Sequence, residues 1–388
     1  MTRAANDATA VGTATVLLSL VAVSLAGCAP TPPPASDGKP GPHQITVAAT
    51  DHECTLSKTS TETGRTDFVV TNNGTKVTEF YLYGAGARVL GDVHNIQPGQ
   101  QRNLSVALNE PGYYFTACKP ALIGDGISAD FKVDGNPIAA DRQDEAEQSY
   151  KRYVSNQTGA LVTATAALVG AVKKGDVTGA QDLYPTARTY YERIAPVAQR
   201  FPNNLQTRID LGPAEVHPDD KWTGFHRLER DLWLSGLQPD TNAVADKLLA
   251  DVKELDSGLT SPEWAVSADE VVHGAQTVLA TLAKEAITGG GEIFSHTDLW
   301  DVQAGVDGCR VGVGSVRPEV DQRSPELGKR IDQAFANVQG LLDRLQWNGG
   351  LSFGPYDRVA EPQRQELSRA IDALNIEVGQ VPSTAASR

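Results

Sequence analysis

His226-Arg227-Leu228-Glu229 sets an imidazole and a carboxylate three residues apart. On a helix, positions i and i+3 share a face. Both side chains could then reach one metal ion, as in the carboxylate sites of helical bundles. The plainer alternative is a surface histidine beside a glutamate that pairs with Arg227 or Arg230. Two further stretches draw attention: Tyr190-Tyr191-Glu192-Arg193-Ile194-Ala195-Pro196 and Ser295-His296-Thr297-Asp298-Leu299-Trp300-Asp301. In the second, Ser295 and Asp298 have the spacing of a capping box that opens a helix. Capping and salt bridging are the ordinary roles for both. Other chemistries lack their residues. There is no HExxH zinc pair and no P-loop, and no GxSxG elbow. Acidic residues are too many for sequence to choose the two a glycosidase needs.

The elements that must position these groups fall into two regimes. Over residues 44–134 the chain reads as strands and turns. Ile45–Ala49, Phe68–Thr71, Phe80–Tyr83 and Gly112–Cys118 are strand-like, with turns at Asn72-Asn73-Gly74 and Asn95-Ile96-Gln97-Pro98-Gly99. Leu104, Val106 and Leu108 alternate with polar residues, the period of a half-buried strand. Short strands at this spacing predict an all-β sandwich. Over residues 144–385 the period becomes helical. Leu161, Ala164, Leu168 and Val172 form one stripe, which stops where Lys173-Lys174 meet Gly175. Ser324-Pro325-Glu326 opens another helix with its stripe at Leu327, Ile331, Phe335, Val338, Leu342 and Leu345. Asn348-Gly349-Gly350 is expected to end it. A last helix carries Leu367, Ile371, Leu374 and Val378. The expected class is multidomain: an all-β sandwich followed by an all-α bundle.

The net charge of −14 argues against nucleic acid as a partner. At the N-terminus, Arg3 precedes an apolar stretch from about Ala10 to Ala26, which fits a secretory signal better than a membrane span. It runs into Leu25-Ala26-Gly27-Cys28, which resembles a bacterial lipobox, and then a Pro-rich tether, Ala29-Pro30-Thr31-Pro32-Pro33-Pro34. Residues 1–28 therefore read as a lipoprotein signal peptide and 29–43 as a spacer. The expected location is the outer face of the cytoplasmic membrane, held by lipid on Cys28. Export favours oxidation, so Cys54 and Cys118 of the β region are expected to pair and Cys309 to remain a buried thiol.

Together these segments resemble the EfeO family of periplasmic iron-uptake proteins, whose helical part is imelysin-like. The resemblance rests on Tyr150-Lys151-Arg152-Tyr153-Val154, Ala187-Arg188-Thr189-Tyr190-Tyr191-Glu192-Arg193-Ile194, Trp222-Thr223-Gly224-Phe225-His226-Arg227-Leu228-Glu229 and Ser295–Ala304, in the family order. The N-terminal half is similar to the cupredoxin-like domain of longer members, through Cys54, Cys118 and the turns. The resemblance implies an extracytoplasmic iron-binding component (Fe2+ or Fe3+, with Cu2+ or Zn2+ as other candidates) that delivers iron to a ferrous-permease-like membrane protein, with a haem peroxidase as a further partner. Position by position it carries over His226, Glu229, Glu192 and Asp210. A second family glutamate falls on Ala195 and a later one on Thr281, so two carboxylates are expected to be missing. Glu79 matches a family acidic residue, with His94 as its neighbour. A blue-copper site would need two His, a Cys and usually a Met. In the β region only His52 and His94 are available, apart from His43 in the tether, and the one methionine is Met1. Family members are called peptidase-like without a catalytic motif here. A peptidase-like hydrolase and a metal-dependent binder of acidic polysaccharide are the alternative functions. The lipobox gives a direct test: Cys28→Ser should release the protein from membranes, and a variant that stays mature and membrane-bound would exclude lipid anchoring at Cys28.

Overall fold

The structure, a computed structural model, describes residues 43–138, 142–198, 201, 203–217 and 221–381. The residues expected to form the signal peptide and tether, Cys28 among them, lie outside the described residues, apart from His43. No helix among the described residues is long and apolar enough to cross a membrane.

The first half is a two-sheet sandwich. Its strands are β1 (Gln44–Ala49), β2 (Cys54–Leu56), β3 (Ser60–Glu62), β4 (Gly64–Asn72), β5 (Thr78–Tyr83), β6 (Val89–Ile96), β7 (Gln101–Leu108), β8 (Gly112–Cys118) and β9 (Ile127–Asp134). One sheet has the order β2-β1-β4-β7 and the other β3-β9-β8-β5-β6. Alternating residues such as Ile45, Val47, Phe68, Val70, Leu104 and Val106 fill the space between the sheets. The Phe68 ring lies tilted at 5.4 Å from Phe80 and edge-on at 5.5 Å from Phe131. A disulfide joins Cys54 to Cys118, and Cys309 is a buried free thiol.

Strand β5 breaks the alternation because both of its faces are covered. Phe80 and Leu82 point into the sandwich. Tyr81 and Tyr83 join an apolar cluster with Tyr150, Tyr153 and Val154 of the helical half. The outer face of the second sheet is thus a wall of the helical core, and the two halves are packed together instead of hanging on a linker.

The helices are α1 (Arg142–Lys173), α2 (Val177–Ala198), α3 (Leu205–Asp210), α4 (Phe225–Arg230), α5 (Thr241–Leu259), α6 (Ala268–Thr288), α7 (Asp298–Ser315), α8 (Arg317–Arg323), α9 (Pro325–Asp343) and α10 (Glu361–Val378). The ends follow the sequence signals: Gly175 takes a φ of 72° beyond α1, and Pro325 stands at the start of α9. One bundle packs α1, α2 and α5 against the sheet. The other packs α6, α7, α9 and α10. Helices α2 and α7 meet where the bundles join, and a Cβ on Gly308 of α7 would lie 2.3 Å from the Arg193 carbonyl oxygen of α2. Only glycine permits that approach.

One expectation needs correction. Helix α9 ends at Asp343, and Asn348–Gly350 form the bend between β10 (Gln346–Trp347) and β11 (Ser352–Phe353). Left-handed φ at Asn348, Gly349 and Gly350 suits a tight turn between strands. The helical half therefore contains a small hairpin.

The disulfide spans 64 residues, and loop-closure entropy for such a span is worth about 4 kcal/mol. Replacing both cysteines by alanine should lower the denaturation midpoint accordingly. Non-reducing peptide mapping of the parent should recover the Cys54–Cys118 peptide with Cys309 unpaired.

Candidate metal centre

Helix α4 has six residues, and its placement depends on the glycine before it. Gly224 has a φ of 89°, and a Cβ there would lie 2.3 Å from the Ile209 carbonyl oxygen. The end of α3 therefore presses on the start of α4. Asp210, the last residue of α3, comes within 3.4 Å of His226 (Oδ1 to Nε2). The other ring nitrogen, Nδ1, lies 3.3 Å from Glu229 Oε2 and 3.7 Å from Glu292 Oε1. His226, Glu229 and Glu292 each offer a ligand atom, all within 4.8 Å of one another.

Glu229 is oriented from behind. Its Oε1 accepts from the backbone N–H groups of Phe294 and Ser295, at 2.9 and 2.7 Å, and from the Ser295 hydroxyl at 2.8 Å. Oε2 remains directed at His226. Fixing one oxygen so that the other faces a cation is how outer partners order a metal ligand. Arg227 and Arg230 do not neutralise Glu229. Both pair with Asp231, at the start of a π turn that continues α4, and Arg227 also reaches Asp240. The surface-histidine alternative is therefore excluded: Glu229 is fully buried and His226 nearly so.

Around this triad the charges do not balance. Arg188 of α2 contacts Glu192, Asp210, Glu292 and Asp301. With Glu229 that makes five carboxylates facing one guanidinium and one imidazole. Burial drives the Glu192 and Glu292 carboxyls well above the carboxylate range despite Arg188. Burial, with Asp301 and Asp210, lifts Glu285 to about 7. Burial opposes ionisation of Asp210 and Glu229 too, but Arg188 and His226 outweigh it for Asp210, and His226 with Ser295 for Glu229; both are lowered. Burial works against a charged His226, but the bonds to Asp210 and Glu229 overcome it and hold the ring at about 9. A cluster in this condition binds protons for want of another cation.

The structure gathers His226, Glu229, Asp210 and Glu192 in one place, with Glu192 joining through Arg188. Sequence reasoning missed Glu292, Arg188 and Asp301. The structure also places three further positions of that reading. Thr281 is exposed on α6; Glu285, one turn on, is the α6 carboxylate on the site side. Ala195 packs in the apolar cluster with Ala275 and Val278, so it is a core position. Ser295 and Asp298 do not form a capping box: α7 begins at Asp298 with Thr297 as its N-cap and no side-chain cap. The Ser295 hydroxyl instead serves Glu229, and Asp298 accepts from the Glu292 backbone N–H at 3.2 Å.

Glu79 lies elsewhere, between the sandwich and the helices. Its Oε1 meets His94 Nδ1 at 2.8 Å. Its Oε2 accepts from Arg193 at 2.6 Å and from the Tyr81 hydroxyl at 3.1 Å. His94 Nε2 contacts Asp92, and Lys119 and Arg193 share Asp307, at 3.0 and 3.3 Å. Three carboxylates thus face three cationic groups in a buried network. Burial disfavours both charged forms, but Arg193 and His94 hold Glu79 down at about 2, while Glu79 and Asp92 hold His94 up at about 9. The charges of these groups cancel, and both ring nitrogens of His94 are engaged. Nor do these residues fit copper: Cys118 is in the disulfide, and His52 sits on an exposed turn.

Comparisons with known proteins agree with this architecture. Residues 146–380 match the family model described as Imelysin, and residues 16–123 match one described as Cupredoxin-like domain. The fold is a cupredoxin-like sandwich joined to an imelysin helical domain. The iron uptake system component EfeO of Escherichia coli strain K12 is 32% identical over 347 residues, covering 87% of this chain and 90% of its own. The proteins of the same name from Shigella flexneri and Escherichia coli O157:H7 give the same figures. The chain belongs to the EfeO family.

The buried network makes a pH prediction. His94 is raised from 6.5 to about 9 on folding, so its stabilisation is complete below pH 6.5 and lost as pH rises through 9. Glu79 is lowered from 4.5 to about 2, so its share is complete above pH 4.5 and lost as pH falls through 2. Glu79→Gln should destabilise by about 3 kcal/mol or more, the cost of breaking a buried pair. It should also flatten the decline between pH 6.5 and 9, because His94 then titrates lower. Melting curves across that range would show whether the wild-type decline persists in the variant.

Proposed function

We propose that this protein is the extracytoplasmic iron-binding component of an EfeUOB-like uptake system, tethered by lipid at Cys28 and delivering iron to a ferrous-permease-like membrane protein. In this reading residues 1–28 are the signal peptide and 29–43 the spacer. Residues 44–134 form the cupredoxin-like part and 144–385 the imelysin part, and a haem peroxidase works in the same system. The relatives' shared name, iron uptake system component, supports the pathway. The observation that carries the binding role is the charge imbalance: four buried carboxylates and the half-buried Asp210 converge on His226 and Arg188, and Glu229 is locked with one oxygen directed inward. One imidazole among carboxylates suits ferrous or ferric iron over Cu(I), which prefers thiolate and thioether. The ligands are His226, Glu229, Glu292 and Asp210.

Binding must displace protons. At neutral pH the His226 ring carries a proton in the cation-free protein, since its value is about 9, and a metal needs the neutral nitrogen. Affinity should therefore fall as pH is lowered from 9, well above the 6.5 of an ordinary histidine, by about tenfold per pH unit for each proton displaced. His226→Ala and Glu229→Ala should each weaken iron binding at least tenfold, about 1.4 kcal/mol, with folding intact. Calorimetry in buffers of different ionisation enthalpy measures both quantities. Unchanged affinity in the double variant His226→Ala/Glu229→Ala would remove iron binding from this site.

A further inference from the structure

Arg188 lies where a bound cation would act. It is 3% exposed, with its guanidinium beside the rings of Tyr191 and Phe225 at 5.5 and 5.3 Å. Its polar contacts divide into two sets. Toward α7 and its own helix it makes three hydrogen bonds, to Asp301 at 3.1 and 2.7 Å and to Glu192 at 2.5 Å. Toward His226 it takes two oxygens that His226 also faces. Glu292 Oε1 lies 3.0 Å from Arg188 Nε and 3.7 Å from His226 Nδ1. Asp210 Oδ1 bonds Arg188 and lies 3.4 Å from His226 Nε2. The guanidinium and an ion at His226 therefore compete for the same two atoms.

We propose that Arg188 is a built-in counter-cation that a metal ion must displace, so that it sets the affinity of the site and favours release. On loading, the ion takes Asp210 and Glu292 from the guanidinium, which stays on Asp301 and Glu192. On unloading, the guanidinium returns, and the carboxylates are never left wholly uncompensated in a dry interior. Two like charges that share the same carboxylate oxygens in such surroundings repel by more than the energy of a tenfold change in affinity. A carrier that must hand on its cargo has use for that repulsion. The inference rests on the cation-binding reading of the same site.

The test uses the full chain, with Zn2+ as a diamagnetic probe and Fe2+ under anaerobic conditions. Arg188→Gln removes the charge and should tighten binding of both ions by about tenfold or more. Without metal the variant should melt lower than wild type, and the rise in melting temperature on adding metal should be larger. Arg188→Lys keeps the charge and should bind closer to wild type than Arg188→Gln does. Weaker or unchanged binding in folded Arg188→Gln overturns the proposal and makes Arg188 a positioning residue. A measurement on the wild type covers the case in which Arg188→Gln fails to fold. In nitrogen-15 NMR, the Arg188 Nε–H signal, identified by its absence in Arg188→Lys, should shift as zinc loads while the His226 ring signals report binding. Movement of His226 with Arg188 unchanged refutes displacement alone. If neither signal moves, cation binding at this site fails and the counter-cation role falls with it.

Discussion

From Ala187 to its end, helix α2 is buried, and that constraint governs the rest of the molecule. Charged side chains on a buried helix must find partners inside the protein, because leaving them unpaired costs several kcal/mol each. Arg188 and Arg193 meet this demand in opposite directions. Arg193 turns to the sandwich and to α7. Arg188 turns to the place where α3, α4, α7 and the segment before α7 converge. The close contact between α2 and α7 at Gly308 fixes both arrangements at once.

The two clusters use similar residues for different ends, and charge arithmetic separates them. Around Arg193 three cationic groups match three carboxylates, so their charges cancel and the network binds the two halves together. Around Arg188 the carboxylates exceed the cations, and protons make up part of the deficit. A histidine held near pH 9 occurs in both. A raised histidine value therefore does not tell the two clusters apart; the uncancelled negative charge around Arg188 does.

Much of this organisation was legible in the sequence. The change from period two to period 3.6 located the sandwich and the helices, the glycine signal marked the end of α1, and the proline signal marked the start of α9. His226 and Glu229 were legible because their relation is local: one turn of one helix. Glu292 and Arg188 were not, because their roles arise from long-range packing. Arg188 stands four residues before Glu192 and looks like a routine helix-surface pair. Its burial depends on α7, more than a hundred residues away. The error at Ser295 is instructive. Its spacing put the start of α7 two residues early, and the hydroxyl was taken by Glu229, a partner no local pattern reveals. For Glu79, resemblance to an acidic family position suggested a ligand, and its ion pairs with Arg193 and His94 are visible only in three dimensions.

Strand β5 is covered on both faces, which gives the N-terminal half a hold over the sequence of the other. A descendant that lost the sandwich would present Tyr150 and Tyr153 to water and leave Arg193 and Asp307 without Glu79 and Lys119. Such a loss would be tolerated only with compensating changes on α1, α2 and α7. The two halves are consequently bound by inheritance as well as by contact: β5 and its helical partners should diverge in concert, whereas the His226 neighbourhood, which draws on no strand, is free to persist in either lineage.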